Sequence, residues 1–445
     1  MSASSPKTIA KRIVARLQKA GFAAFWVGGC VRDFLLGRDP WDIDIATDAR
    51  PEQIERLFAR TVPVGKKFGV VVVVEKNHDF QVATFRSEED YRDGRRPEKV
   101  VFGNARADAL RRDFTVNALF YDPVSNTTHD WVGGQEDLRA KIIRTIGLPE
   151  ERFGEDHLRL LRAIRFAAQL NFEIEPGTYA AVKKLAQKIR LISSERVRDE
   201  LLKLFRPPHA ARGLDLLRDS GLMEQVLPDL GPTLTCAQSA QYHPEGNVYN
   251  HIRLMLEHLP AEAPAPLPWA VILHDIGKPP TASADAATGM IHFYGHEKVG
   301  AEMARQILSR LRFPKKEIDA IVTCVRQHMQ FKDVKQMRKA TLRRMLMRET
   351  FPLELQLHQL DCLGSHRSLE HYSFLVEQVK ELKKKSHIRP PLLTGDDLIA
   401  LGMKPGPNMG TLLHEIRDKQ LAEELKTRRS AVAWVKRQLK VKTPN

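Results

Sequence analysis

The sequence predicts an α+β amino-terminal domain followed by an almost wholly helical remainder. Over roughly the first 150 residues, short β-like runs alternate with helical stretches. From Arg152 onward strand signals nearly vanish and a 3.6-residue apolar period takes over, punctuated by Pro and Gly. A chain of 445 residues is too long for one core and implies about two to four domains.

The elements follow in order. The segment Lys7–Lys19 is basic and free of acids, faintly like a transit peptide. Its apolar residues Ile9, Ile13, Val14 and Leu17 share one helix face and lead into a strand at Phe22–Val27, so it reads as the first folded helix. Gly28 and Gly29 end that strand and open a turn before a helix. Trp41-Asp42-Ile43-Asp44-Ile45 reads as a buried strand of period two, Val70–Val74 as a buried central strand, and Phe80–Phe85 as another β-rich run. Asn104–Leu119 reads as mostly helical. Pro207-Pro208, Gly231-Pro232 and Pro390-Pro391 are the expected joints, and Pro260–Pro268 a loop between helices.

Composition narrows the function classes. Lys and Arg number 70 against 55 Asp and Glu, a formal charge of +15 that favours a polyanionic partner and salt-dependent binding. The four cysteines, Cys30, Cys236, Cys324 and Cys362, are widely spaced without a C-x-x-C pair, which suits a reducing, cytoplasmic setting. No apolar run approaches the ~20 residues that span a bilayer, so no membrane partner is expected.

The richest stretch is Val27–Ile45. Side chains at i and i+2 of a strand share a face, with Cα atoms roughly 7 Å apart. Asp42 and Asp44 are therefore expected to converge and hold a divalent cation. Upstream, the Gly28-Gly29 backbone lacks Cβ atoms and can approach a phosphate, with free N–H groups at the helix start favouring an anion. A phosphate cradle beside a metal-binding carboxylate pair is a plan for phosphoryl or nucleotidyl transfer. Each half alone is common in unrelated proteins. Their order and spacing, with Arg32 and Asp33 between them, resemble the signature of the nucleotidyltransferase superfamily, in the branch of bacterial tRNA CCA-adding enzymes and poly(A) polymerases.

Three further pieces are similar to the same family. In Arg111-Arg112-Asp113-Phe114-Thr115-Val116-Asn117, two arginines beside an aspartate at a helix start suit phosphate. Asn117, one turn past Asp113, suits a ribose hydroxyl. Asp130-Trp131-Val132-Gly133-Gly134, followed by Asp137, resembles a third motif that serves as a hinge or structural turn. Glu155-Asp156-His157-Leu158-Arg159 resembles the family's base-reading motif. On a helix, Asp156 and Arg159 at i and i+3 would present an acceptor beside a donor. Cytosine and adenine match that order on their Watson–Crick edges; guanine and uracil present the reverse and would leave buried polar groups unpaired. The plain alternative is a surface ion pair worth a few tenths of a kcal/mol. Arg162 and Arg165 continue the basic stripe toward a triphosphate.

The resemblance covers Gly21 to about Phe205 closely and implies a palm of about five strands, a helical neck and two-metal transfer with Mg²⁺ at Asp42 and Asp44. There an RNA 3′-hydroxyl attacks the α-phosphate of CTP or ATP, the RNA being tRNA. The charged segment Arg86–Pro97 corresponds to a loop that in relatives helps the switch from C to A addition, and its presence favours full CCA or terminal-A addition.

A second pattern, His251, then His274-Asp275 before Gly-Lys-Pro, then Asp361, is similar to the HD superfamily. That resemblance implies one divalent ion held by His251, His274, Asp275 and Asp361 inside a helical bundle. Mixed imidazole and carboxylate ligation leaves its identity open. His292, His296 and His328 are further ligands or phosphate binders. The implied activity is phosphohydrolysis, with a relic structural site as the alternative. The basic final helix, Lys426, Arg428, Arg429, Lys436, Arg437 and Lys440, suits an RNA backbone or a solvated face.

The expected organisation is an elongated multi-domain chain: palm over 1–148, neck over 149–232, HD domain over 233–390 and tail over 391–445. The expected activity is tRNA CCA addition. An A-adding enzyme and a poly(A) polymerase are the rivals in the same chemistry; an HD phosphohydrolase and a non-catalytic RNA binder are rivals of another class. The oligomeric state is not legible in the sequence.

Overall fold

The computed structural model describes residues 5–40, 42–65, 68–87, 102–239, 243–288, 290–384 and 390–441. Most of the charged segment Arg86–Pro97 lies outside the described residues. The chain divides into two compact units, Met1–Gly231 and Pro232–Asn445.

The first unit opens with α1 (Pro6–Lys19), capped by the Ser5 hydroxyl and burying Ile9, Ile13, Val14 and Leu17 as the periodicity predicts. It continues through β1 (Ala24–Val27), α2 (Gly29–Leu35), β2 (Ile45–Thr47), α3 (Pro51–Leu57), β3 (Thr61–Gly65), β4 (Val70–Glu75) and β5 (His78–Thr84). Then come α4 (Ala105–Leu110), β6 (Phe120–Asp122), β7 (Thr127–His129) and α5 (Gly134–Ala140). The strands form one sheet in the order β3-β4-β5-β2-β1-β6-β7. That is seven strands among the described residues, two more than the resemblance implied. Only the β2·β5 pair is parallel; the other neighbours run antiparallel.

Two sequence expectations need correction here. The valine run is not a central strand buried on both faces. β4 is next to the edge strand β3, and its side chains alternate, with Val71 and Val73 fully buried and Val70, Val72 and Val74 half-exposed. Antiparallel strands with one solvated face show this pattern. The Asp42–Asp44 segment is not itself strand, because regular pairing starts at Ile45. The alternation survives: Asp42 is exposed, Ile43 buried and Asp44 half-buried.

The rest of this unit is helical: α6 (Pro149–Glu155), α7 (Leu158–Leu170), α8 (Pro176–Leu185), α9 (Ser194–Leu204), α10 (Ala210–Asp219) and α11 (Met223–Val226). A two-residue parallel pair, β8 (Ile142–Ile143) and β9 (Glu173–Ile174), ties the start of this region to the end of α7. α7 is the hub, packing against α9 and α10 and burying Leu160, Leu161, Ile164 and Ala167.

The second unit holds α12 (Val248–Glu257), α13 (Pro266–Leu273), α14 (Lys278–Thr281), the two-residue strands β10 (Ser283–Ala284) and β11 (Ile291–His292), α15 (His296–Arg310) and α16 (Lys315–Gln327). α17 (Lys339–Leu346), α18 (Phe351–Gly364), α19 (Glu370–Lys384), α20 (Gly395–Ala400), α21 (Pro407–Leu421) and α22 (Arg428–Val441) follow. α13 is buried all round and packs on α12, α16 and α18, as a helix apolar on every face must. It starts inside the stretch expected to be loop. Pro266 and Pro268 fall in its first turn, where backbone N–H groups have no intrahelical acceptor and proline costs little. In the last helix, Ala431 and Val435 are buried with Leu412 and Ile416, while Lys426, Arg428, Arg429, Lys436 and Arg437 are exposed. No helix among the described residues is long and apolar enough to cross a membrane, and all four cysteines are free thiols.

Candidate active site and metal centre

The β1–α2 turn organises the first site. Val27 donates its N–H to the Asp44 carbonyl (3.0 Å), which fixes Asp44 across from the Gly28 turn. Gly28 has φ 75° and ψ −133°, a region essentially closed to other residues. A Cβ there would also lie 2.8 Å from Arg112 Nη1. Gly28→Ala is expected to lose about 1–3 kcal/mol from backbone strain alone, visible as a lowered melting temperature, and to displace the Arg112 guanidinium.

Around this turn lies a cavity of about 490 Å³, lined by Gly28, Gly29, Asp44, Asn117 and Phe166 among others. Six guanidinium groups line it (Arg32, Arg111, Arg112, Arg159, Arg162, Arg196) against the carboxylates of Asp44, Asp113 and Asp156. Such an excess of donors in one pocket is a site for a multiply charged anion.

Buried acids aim these arginines. Asp108, 2% exposed, accepts from Arg111 Nε (2.8 Å) and Arg112 Nη2 (3.0 Å). Burial raises the Asp108 pKa, but the two guanidinium groups outweigh it and hold it below the usual range. Arg32 donates to the Asn117 side-chain oxygen (2.6 Å) and to Asp33 (2.9 Å), and Asn117 donates to Asp113 (3.1 Å). Arg162 donates to Asp113 (2.8 Å). Burial works against the Asp113 carboxylate, but Arg162 and the Asn117 amide prevail and lower its pKa to about 2.

A depressed carboxylate contributes stability that is complete above its unfolded pKa near 3.8 and lost as pH falls toward 2. Asp113→Asn is therefore expected to lose on the order of 2 kcal/mol at neutral pH. The gap to wild type should close on acidification through that window. Denaturant melts at pH 7 and near pH 2 measure it, and a constant gap would disprove the assignment.

Asp44 shows the opposite balance. Burial raises its pKa first and the neighbouring Asp42 charge adds to that, with Arg112 opposing. A half-buried carboxylate with a second acid beside it makes a site that a divalent cation would relieve, so Asp44 with Asp42 fits a metal. Asp42 and Asp33 are not among the residues lining the cavity.

Asp156 and Arg159, expected as a helical i,i+3 pair, are arranged differently. Asp156 is not helical: it caps the break between α6 and α7 with extended backbone, and its Oδ1 accepts the Leu158 N–H (3.0 Å). Asp156 and Arg159 do not pair. Asp156 Oδ2 accepts from Arg196 (2.7 Å), while Arg159 is held by Glu155, the Arg152 carbonyl (2.8 Å) and the Arg111 carbonyl (3.3 Å). Both still line the cavity. Arg165 does not: it donates to Glu200 (2.6 Å) and Gln169 (3.1 Å) and stacks on Phe166 at 4.0 Å.

Nor is Asn104–Leu119 one helix. α4 ends at Leu110, a turn carries Arg111–Phe114, and a 3₁₀ turn covers Thr115–Asn117. Thr115 donates its N–H to Arg144 and its hydroxyl to Asp137 (2.6 Å), bonds that take the chain out of helix. The Asp130 motif is a structural turn, its carboxylate accepting the N–H groups of Val132, Gly134 and Gln135.

The second site lies in the helical bundle of the second unit. His251 comes from α12 and Asp361 from α18, and His274-Asp275 occupies the turn after α13, not the helix itself. His251, His274 and Asp361 place one ligand atom each within 4.8 Å of one another. Asp275 groups instead with His296 and His328. His274 donates Nδ1–H to the Val271 carbonyl (2.8 Å), which leaves its buried Nε2 facing Asp275 Oδ2 at 3.1 Å. Two buried imidazoles converging with a carboxylate are a donor set that fits a cation. Burial disfavours the His251 imidazolium, but Asp361 (3.1 Å) and Glu245 (2.7 Å) outweigh it and raise the pKa to about 9.

Arg196, Asp108, Phe166 and Glu245 were not singled out from the sequence. Asp108 at i+3 and i+4 from its arginines carried a readable signal; Arg196 and Glu245 carried none.

Comparison with known proteins follows the same division. Residues 24–144 match the Poly A polymerase head domain, residues 171–234 the probable RNA and SrmB-binding site of polymerase A, and residues 242–362 the HD domain. A CCA-adding enzyme of Staphylococcus aureus (strain MRSA252) is 44% identical over 210 residues, 47% of this chain and 52% of that one. One from Geobacillus stearothermophilus is 46% identical over 219 residues, 49% of this chain and 54% of the other. The chain thus spans about half the length of the curated relatives it matches. The Bacillus stearothermophilus CCA-adding enzyme solved with CTP superposes with a TM-score of 0.74 at 27% identity, covering 98% of this chain and 99% of that one. The Thermotoga maritima CCA-adding enzyme complexed with tRNA shares the fold, with a TM-score of 0.59 at 18% identity over 98% of this chain and 97% of the other.

Proposed function

We propose that the protein is a tRNA nucleotidyltransferase that adds C, C and A to the 3′ end from CTP and ATP. The observation that carries this reading is the single cavity in which Asp44, the Gly28 turn, six arginines, Asp156 and Arg159 meet. In it the triphosphate binds to Arg32, Arg111, Arg112 and Arg162, already aimed by Asp33, Asp108 and Asp113. Asp156 and Arg159 face the base; the carboxylate accepts an amino group and the guanidinium donates to a ring nitrogen. Asp42 and Asp44 hold Mg²⁺, whose chemistry when bound is to lower the 3′-hydroxyl pKa and neutralise the departing pyrophosphate. The RNA is held by the basic helical region after Arg152, with the palm over 1–148, neck over 149–232, HD domain over 233–390 and tail over 391–445. The reducing setting implied by free cysteines suits work on cytoplasmic tRNA.

The test uses tRNA transcripts ending at the discriminator base, at C and at CC, beside an unstructured RNA, with labelled CTP or ATP. Addition of C, C and A followed by a stop is expected. A-only growth on CC ends would make it an A-adder, and long A tails on any RNA a polymerase.

A second activity rests on a specific observation. His251, His274 and Asp361 converge with one ligand atom each within 4.8 Å of one another, which favours a divalent metal in the HD domain and metal-dependent phosphohydrolysis there. No membrane partner enters this reading.

A further inference from the structure

Three guanidinium groups share one aromatic ring at the wall of the arginine-lined cavity. Phe166 follows Arg162 by one turn of α7 and Arg165 by one residue, and it is buried, with 7% exposure. The guanidinium carbon of Arg165 lies 4.0 Å from the ring centroid, that of Arg162 5.2 Å and that of Arg32 5.3 Å. Arg32 comes from α2, whereas the other two share a helix with the ring. Phe114, fully buried in the turn that carries Asp113, packs against the ring edge to face, with centroids 5.8 Å apart. Arg32, Arg162 and Phe166 line the cavity; Arg165 does not.

Carboxylates hold these arginines by their edges, which is where a guanidinium carries all its donors. Arg32 is well fixed, with Nε and Nη2 on the two oxygens of Asp33 and Nη1 on Asn117. Arg162 is not. Its two contacts with Asp113, from Nε at 2.8 Å and Nη2 at 2.5 Å, end on the same oxygen. A fork closed on a single atom pivots about that atom, so it fixes where the group lies but not the plane of its remaining N–H groups. The flat faces of a guanidinium make no hydrogen bonds and are drawn to the negative face of an aromatic ring. The Phe166 ring supplies the constraint that Asp113 leaves open. Arg165 is tied to buried Glu200 at 2.6 Å, so its stack pins the ring and does not reach a ligand.

We propose that Phe166 is a positioning residue for the triphosphate: its ring sets the plane of the Arg162 guanidinium beside Arg32, while Arg165 and Phe114 hold the ring in place. The inference rests on the nucleotidyl-transfer reading above and goes beyond it by giving an apolar side chain control of the phosphate grip. Without the ring, Arg162 keeps its charge and its carboxylate but becomes ordered only when the ligand arrives. That ordering opposes binding. The base end of the cavity, at Asp156 and Arg159, is not touched by the change.

The test uses the full chain with Phe166→Leu and, by site-specific incorporation, with singly, doubly and triply fluorinated phenylalanine in place of Phe166. Fluorine withdraws charge from the ring face with little change of shape, so the series grades the attraction for cations while packing stays. Dissociation constants of labelled CTP, and of tripolyphosphate as its competitor, are measured by equilibrium dialysis without RNA, with folding checked by circular dichroism. Phe166→Leu is expected to weaken both ligands about tenfold, and each added fluorine to weaken both a further step. In tRNA extension, KM for CTP should rise by the same factor with kcat and the CTP-to-UTP preference little changed. Weak binding in Phe166→Leu with no response to fluorine would make the ring a space filler and overturn the proposal. CTP weakened while tripolyphosphate holds would overturn it as well, by moving the effect to the base. Unchanged affinity throughout would remove Phe166 and leave the transfer reading standing. If Phe166→Leu does not fold, the fluorinated series decides. A wild-type chain that binds neither ligand would remove both readings together.

Discussion

Asp44→Asn is expected to lower nucleotide incorporation by about 10³-fold or more, the scale on which removing one preorganised electrostatic group acts in a transfer site. The substitution keeps shape and removes charge. Burial and the Asp42 charge already disfavour the Asp44 carboxylate, with Arg112 only partly offsetting them. A carboxylate whose folded pKa is raised lowers stability as pH rises through that value. The metal-free variant should therefore melt at the wild-type temperature or slightly above it, while the Mg²⁺-dependent rise in melting temperature disappears. A merely structural aspartate would give the reverse, with lost stability and retained turnover. Phosphohydrolysis in the second unit should be untouched by this change and abolished by Asp275→Ala, which spares incorporation. Joint loss of both activities in either variant would refute independent sites.

Arg159→Ala is expected to raise misincorporation of UTP and GTP relative to CTP and ATP by about 10²-fold or more, because unpaired buried polar groups are what reject the wrong base. Arg159 reaches the cavity while bound to Glu155, the Arg152 carbonyl and the Arg111 carbonyl. A guanidinium has five donors, so some remain for a base. Asp156 likewise spends one oxygen on the Leu158 N–H and the other on Arg196, and a carboxylate has about four acceptor positions. Arg196→Ala should relax base choice in the same direction but less, since it removes the group that orients Asp156. Steady-state incorporation of each nucleotide on a CC-ended tRNA reads this out. Base ratios unchanged by Arg159→Ala would remove Arg159 from base recognition.

The two sites were not equally legible. Gly28-Gly29 and the Asp42–Asp44 alternation could be read directly, because a forbidden φ and a period of two are local properties of the chain. The pairing of Asp156 with Arg159 could not. Spacing of three residues implies contact only on a continuous helix, and the chain breaks at Asp156, where the carboxylate caps α7 instead. Arg165 sat in register with Arg162, yet buried Glu200 from α9 claims its guanidinium. In the second unit the motif His274-Asp275 was evident, but its division between two side-chain clusters was not. That depends on where α15 and α16 bring His296 and His328.

The sequence alone determined which residue types were available and the local conformations they impose: the glycine turn, the alternating carboxylates, the apolar helix faces and the histidine-aspartate turn. Only the tertiary structure decided which charges meet, because Arg196, Glu200 and Glu245 act across helices and turns. The partner of a buried charge is chosen by packing, which must bring a counter-charge within hydrogen-bond reach wherever water is excluded.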